Sequence, residues 1–219
     1  MSGAAVPPVQ AERPALVLAS ASAARTAVLR AAGLRFEALP AAVDEESLKA
    51  SARAEGFPSG EAALLLAEAK ARRIADRLAR NGAEDALVIG ADQLLTCQVD
   101  GEERWFDKPR DLAEARAHLQ TLRNREHRLH TALLCWRNGA RIWHHLATPR
   151  LVMRDFSDAF LDRYLEAEGE ALLHSVGAYR LEGLGAQLFN RVEGEQAAIL
   201  GLPLLPLLDF LRQHGVLLR

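Results

Sequence analysis

Ser20-Ala21-Ser22-Ala23-Ala24-Arg25 lies where a short apolar run, Ala15 to Ser20, gives way to a helical pattern. Backbone N–H groups at a helix N-terminus attract anions, two hydroxyls add donors, and Arg25 offers a forked guanidinium. That is a phosphate-binding arrangement without a glycine-rich loop, although a capping serine beside a surface arginine reads equally simply. Asp92 follows a second apolar run, Ala86 to Gly90. A carboxylate at a strand end in an open α/β sheet faces the ligand crevice, where it can hold a metal or activate water. An aspartate capping a turn is the alternative there. The acidic loop Asp44-Glu45-Glu46 can supply a second carboxylate, and Lys70 and Lys108 can each reach a polyphosphate as point charges. Each of these has a bland surface reading when taken alone. Their combination suits a polyphosphate held together with a hard divalent cation, Mg²⁺ or Mn²⁺.

Other clusters carry less. His127 and His130 fall on an extended segment, where a spacing of three puts side chains on opposite faces, and His144-His145 alternate in the same way. Without cysteine or carboxylate partners at ligand spacing they do not make a zinc site. Ser175 has no Gly-x-Ser-x-Gly context, so a serine hydrolase has little support.

The elements that must position the candidate residues follow from periodicity. Ala15 to Ser20 and Ala86 to Gly90 read as buried strands, Phe36 to Val43 as a further strand, and Glu61 to Arg80 as the clearest helix. Ser22 caps a helix that Gly33 stops. Asp100-Gly101 and Asn138-Gly139 signal hairpins, the latter between His127 to Trp136 and Ala140 to Ala147. Leu112 to Leu122, Ser157 to Glu168 and Leu204 to Gln213 are helical, while Gly177 to Phe189 is glycine-punctuated and partly extended. Strands interleaved with helices and two hairpins predict an α/β fold with a mixed sheet. Residues 1–14 read as a flexible tail and 15–219 as one domain.

With 49% hydrophobic and 26% charged residues, the composition is that of a globular protein rather than a disordered one. A balance of 27 basic against 29 acidic residues gives no global field for a nucleic-acid partner. No segment is long and apolar enough for a membrane span, and the first residues lack the charged and apolar regions of a secretory signal. Two cysteines, Cys97 and Cys135, make no disulfide framework and suit a reducing, cytoplasmic setting.

Taken together, the chain resembles the Maf family. The resemblance is carried by LAS-x-S-xx-R at Leu18 to Arg25, VDE at Val43 to Glu45, A-x-KA around Lys70, IGAD at Ile89 to Asp92, KP at Lys108-Pro109 and H-xxx-T at His127 to Thr131. It continues through SVGAYRLEGLGAQLF at Ser175 to Phe189, Glu193-Gly194 and GLPL at Gly201 to Leu204. It implies a mixed twisted sheet with two lobes around a cleft, and a nucleoside triphosphate pyrophosphatase that releases NMP and pyrophosphate with a divalent metal cation. Such an activity keeps non-standard nucleotides out of nucleic acids. Ser20, Ser22, Arg25, Lys70 and Lys108 would hold the triphosphate. Asp92 would be the general base or metal-organising carboxylate, and Glu45 would help hold the metal. A homodimer is compatible with the family.

Three positions bear on the base. Family members acting on dTTP and UTP carry Arg, Thr and Gln where this chain has Ala24, Gln93 and Glu182. Gln93 and Glu182 instead resemble the subfamily acting on 7-methyl-GTP, although that subfamily carries Trp at the position of Ala24. A glutamate accepts hydrogen bonds from a purine's amino and imino groups and attracts the positive charge of an N7-methylated guanine. The expected substrate is therefore a modified or methylated purine triphosphate. A dTTP/UTP-preferring enzyme, a general phosphohydrolase and a non-enzymatic regulator of cell division are the rivals.

Overall fold

Two long apolar strands, β3 (Leu87–Val99) and β5 (Glu126–Arg137), form the spine of the computed structural model, which describes residues 9–219. They pair antiparallel from Val88↔Trp136 to Cys97↔His127 without a shift in register. Shorter strands divide the two outer edges of this pair. On the β3 side, β1 (Leu16–Leu18) pairs parallel with Leu87 to Ile89, and β4 (Glu102–Phe106) pairs antiparallel with Leu95 to Val99. On the β5 side, β6 (Ala140–Ala147) takes one end and β7 (Arg150–Met153) the other. Strands β2 (Glu37–Ala38) beside β1 and β8 (Phe189–Glu193) beside β7 complete a mixed sheet, eight-stranded among the described residues.

Alternation of apolar residues makes the sheet two-sided. Leu16, Leu18, Leu87, Ile89 and Ala91 pack on one face with Leu29 of α1 (Ala23–Ala31) and Leu207, Phe210 and Leu211 of α7 (Leu204–Gln213). Val17, Ala19 and Val88 pack on the opposite face against Ala63, Leu66, Ala67, Ala71 and Ile74 of α3 (Ser59–Arg80). A third cluster fills the other half. There Leu95, Cys97 and Val99 meet α4 (Leu112–Leu122), α5 (Asp158–Glu168) and the short 3₁₀ turns Gly169–His174, Val176–Ala178 and Leu184–Leu188. Helix α2 (Glu45–Ala54) leads into α3, and the one-turn α6 (Gln196–Ile199) precedes α7. The expected mixed α/β fold is what the chain adopts.

Three boundaries differ from the sequence reading. The expected strand Phe36 to Val43 is reduced to Glu37–Ala38, because Pro40 has no N–H to offer a ladder. The acidic loop Asp44-Glu45-Glu46 is a helix start: the Asp44 carboxylate accepts the Ser47 N–H at 3.0 Å, so Glu45 and Glu46 form the first turn of α2. Asp92 does not sit at a strand end, because β3 continues for seven residues beyond it. In the expected tail 1–14, residues 1–8 lie outside the described residues. Gln10 bridges to Leu217 and exchanges side-chain hydrogen bonds with the backbone of Arg35.

Gly90 decides how closely α3 approaches the sheet. A Cβ there would stand 2.4 Å from the Ala67 carbonyl oxygen and 2.8 Å from the Ala71 methyl. Backbone cannot yield to such a contact, so Gly90→Ala should lower the unfolding free energy by about 1–3 kcal/mol, as overpacking does. Urea denaturation checks this, and an unchanged midpoint would contradict the close approach.

Candidate active site

The opening in the fold is a fork. Strand β1 stops pairing at Ile89 and β4 starts at Leu95, so Gly90 to Leu94 have no strand neighbour on that edge of β3. Asp92 lies in this gap and shares the α3-facing side with Gly90, two residues earlier. Three residues after Ala67, Lys70 projects from α3 to meet it, with Nζ 2.5 Å from Asp92 Oδ1. Both side chains are buried. The same ammonium lies 2.8 Å from Glu45 Oε1 of α2, which is partly open to solvent.

From β1, the chain enters α1 through Ser20 and Ser22. Ser22 Oγ accepts the Arg25 N–H at 3.3 Å as the helix cap, and Ser20 Oγ accepts the Ser22 N–H at 3.2 Å. Arg25 is also a framework clamp. Its Nη1 donates to Ser20 Oγ at 3.2 Å and to the Ala91 carbonyl at 2.9 Å, and its Nε donates to the Gly201 carbonyl at 2.9 Å. The remaining nitrogen, Nη2, takes no part in these bonds.

A hollow of about 1460 Å³ opens over the fork. It is lined by all ten residues expected from the sequence: Ser20, Ser22, Ala24, Arg25, Glu45, Lys70, Asp92, Gln93, Lys108 and Glu182. The room exceeds that of ordinary small-ligand sites and suits an extended polyanionic ligand. Gln93 has a defined polarity. Its Nε2 lies 3.1 Å from each of the Ala198 and Ile199 carbonyl oxygens and 2.8 Å from Thr131 Oγ1. Carbonyls only accept, so nitrogen must face them and the Gln93 oxygen is left for the hollow.

Sequence reasoning missed Lys49 and Arg53, which line the same hollow from α2. Lys49 Nζ lies 2.5 Å from Asp107 Oδ1, next to Lys108. Glu45, Lys49 and Arg53 recur every four residues, the spacing of one helix face, and that signal was hidden while Asp44 to Glu46 read as a loop. Two of the histidines set aside earlier, His127 and His130, make internal contacts within the fold. His127 is buried and neutral, pushed down to about 4 by burial, and its Nε2 lies 3.0 Å from the Tyr179 hydroxyl. His130 Nε2 lies 2.9 Å from Thr96 Oγ1.

The charges in the hollow influence one another. Burial raises the Glu45 carboxyl, but Lys70 above all, with Lys49 and Lys108, holds it below the ordinary carboxylate range. Arg25 is lowered by burial, against the attraction of Asp92 and Glu45. Lys108 is exposed on its outer side, yet partial desolvation toward the hollow lowers it. Glu45 resists that shift, Arg25 and Lys70 add to it by repulsion, and Asp92 opposes it.

Arg25, Lys70 and Lys108 together with Glu45, Asp92 and a helix N-terminus around one hollow suit a polyanionic, phosphate-bearing ligand. Residues 15–214 match the family described as Maf-like protein, and the chain belongs to that family. It is 55% identical over 202 residues to a nucleoside triphosphate pyrophosphatase of Granulibacter bethesdensis, covering 92% of this chain and 98% of that protein. A nucleoside triphosphate pyrophosphatase of Rhodospirillum rubrum is 51% identical, with 94% and 97% covered. A 7-methyl-GTP pyrophosphatase of Rhizobium meliloti is 47% identical, with 94% and 98% covered.

The lowered Lys108 loses its charge at a lower pH than the 10.5 of a free lysine. Affinity for inorganic tripolyphosphate should therefore weaken by up to about tenfold on the alkaline side, beginning below that value. Lys108→Arg keeps its charge and should carry the weakening to higher pH. Calorimetric titration from pH 7 to pH 10.5 is the check, and identical alkaline limbs would exclude Lys108 as the titrating group.

Proposed function

We propose that this protein hydrolyses nucleoside triphosphates between the α and β phosphorus, releasing NMP and pyrophosphate, with a preference for an N7-methylated purine. The observation that carries this reading is the convergence of Arg25, Glu45, Lys70, Asp92 and Lys108 on one hollow beside the N-terminus of α1. The names of the relatives support the reaction class.

A divalent cation fits the residues present. Asp92 and Glu45 offer hard carboxylate oxygens close enough to share one ammonium, at 2.5 and 2.8 Å. Among the described residues no group of three or more His, Cys, Asp or Glu forms a closed cage. Two carboxylates completed by substrate oxygens and water are the donor set that Mg²⁺ or Mn²⁺ takes beside a polyphosphate. When bound, such an ion would supply Lewis-acid stabilisation of phosphate charge.

The remaining steps belong to the chain. The α1 N–H groups, the Ser20 and Ser22 hydroxyls and Arg25 Nη2 orient the phosphates, while Lys70 and Lys108 balance their charge. Asp92 binds Lys70 through Oδ1, which leaves Oδ2 to accept the proton of the attacking water. Water oxygen bonds to the α-phosphorus, the bond to the bridging oxygen breaks, and that electron pair leaves with pyrophosphate.

For the base, Gln93 and Glu182 both turn acceptors to the hollow. Guanine presents an imino N–H beside an amino group, whereas uracil and thymine offer a single imino donor. N7-methylation adds a positive charge that suits the Glu182 carboxylate. The name of the Rhizobium meliloti relative is in keeping with this preference.

Turnover in ¹⁸O-water tests the reaction: label should enter NMP and pyrophosphate should accumulate. Orthophosphate as product would indicate a general phosphohydrolase, and binding without cleavage a regulator. Asp92→Asn should lower kcat on the order of 100-fold or more. In a panel of natural and methylated triphosphates, 7-methyl-GTP should lead; UTP or dTTP in first place would overturn the base assignment.

A further inference from the structure

Glu168 is a carboxylate in an unfavourable place. It ends α5, where the helix dipole repels negative charge, and its side chain is only 7% exposed. Its two oxygens are nevertheless matched. Oε2 accepts from Arg180 Nη1 at 3.2 Å, and Oε1 accepts the Leu184 N–H at 3.2 Å. Those donors flank Glu182 on either side in sequence. Between them, the Gly183 N–H donates to the Arg180 carbonyl at 3.2 Å, so Glu182 sits at the corner of a closed turn.

Arg180 has two acidic neighbours of unequal standing. It is hydrogen-bonded to Glu168, but it approaches Glu182 only through Nε at 3.5 Å, a looser ion pair, with both of those side chains 39% exposed. Arg180 and Glu182 both line the hollow. A guanidinium free to settle on Glu182 would cancel the negative charge that a cationic base needs.

We propose that Glu168 is a positioning residue for base selection: its carboxylate draws Arg180 away from Glu182 and thereby keeps that carboxylate available to a positively charged purine. This rests on the base-reading role of Glu182 given above. Loss of Glu168 acts in two ways that can be separated. It loosens the turn at Leu184, which affects every nucleotide, and it releases Arg180 toward Glu182, which penalises only a cationic base.

The test compares 7-methyl-GTP with GTP in the presence of Mg²⁺, measuring kcat and KM for each. Glu168→Gln should lower the preference for the methylated nucleotide about fivefold or more, through its KM rather than kcat. Arg180→Gln, a substitution on a part-exposed side chain, should raise the preference, and Glu168→Gln combined with Arg180→Gln should match Arg180→Gln alone. An unchanged ratio in Glu168→Gln, or a lowered ratio in Arg180→Gln, overturns the proposal, and the second outcome stands even if the Glu168 variant does not fold. Glu182→Gln separates the two levels. If it leaves the ratio unchanged, the base reading itself fails; if it lowers the ratio while the other variants do not move it, only the role of Glu168 fails.

Discussion

Lys70 is buried, and a buried ammonium needs opposite charge and hydrogen-bond acceptors around it. Asp92 and Glu45 meet it, from a strand and from a separate helix. This contact depends on how near α3 lies to β3, which in turn depends on Gly90 and on Ala63, Ala67 and Ala71 at four-residue spacing. A larger side chain at any of these points would lift the helix and separate ammonium from carboxylate. Packing and site chemistry are thus one constraint: small residues at the helix–sheet contact hold two carboxylates on one cation.

The same economy shows in Arg25, whose Nη1 and Nε tie the β1–α1 turn to β3 and to the loop at Gly201. A residue that holds three segments together keeps one guanidinium nitrogen out of those framework bonds. Orientation of that nitrogen is therefore fixed before any ligand arrives, which lowers the ordering cost of binding. Gln93 is preset in the same sense, because two backbone carbonyls decide which end of its amide faces inward.

Much of the site was legible because its residues lie in local patterns that survive folding. Ser22 caps α1, Lys70 sits within a strongly periodic helix, and Asp92 follows an apolar run. The less legible features depend on pairing between distant segments. Asp92 reads as a strand terminus because the polar pair Asp92-Gln93 interrupts the apolar run, yet β5 pairs with β3 straight through that point. Only the partners on the other edge change there, and a change of partner leaves no mark on the strand's own sequence. Glu45 reads as loop because the helix it opens is short and highly charged, and the Asp44 cap is its clearest local sign. Glu168 gives no local signal at all, since its partners Arg180 and Leu184 are brought to it by a run of tight turns.

The unbroken pairing of β3 with β5 has a mechanical consequence. Ten successive residue pairs run beneath the cleft and belong to both halves of the molecule. Bending the halves toward each other would shear this ladder, so the floor acts as a stiff beam rather than a hinge. What overhangs the beam, α2 and the turns between α5 and β8, is held by side-chain packing, ion pairs and isolated hydrogen bonds rather than by a strand ladder. Entry of a ligand and escape of products are accordingly matters for these rims, while the groove beneath keeps its gauge.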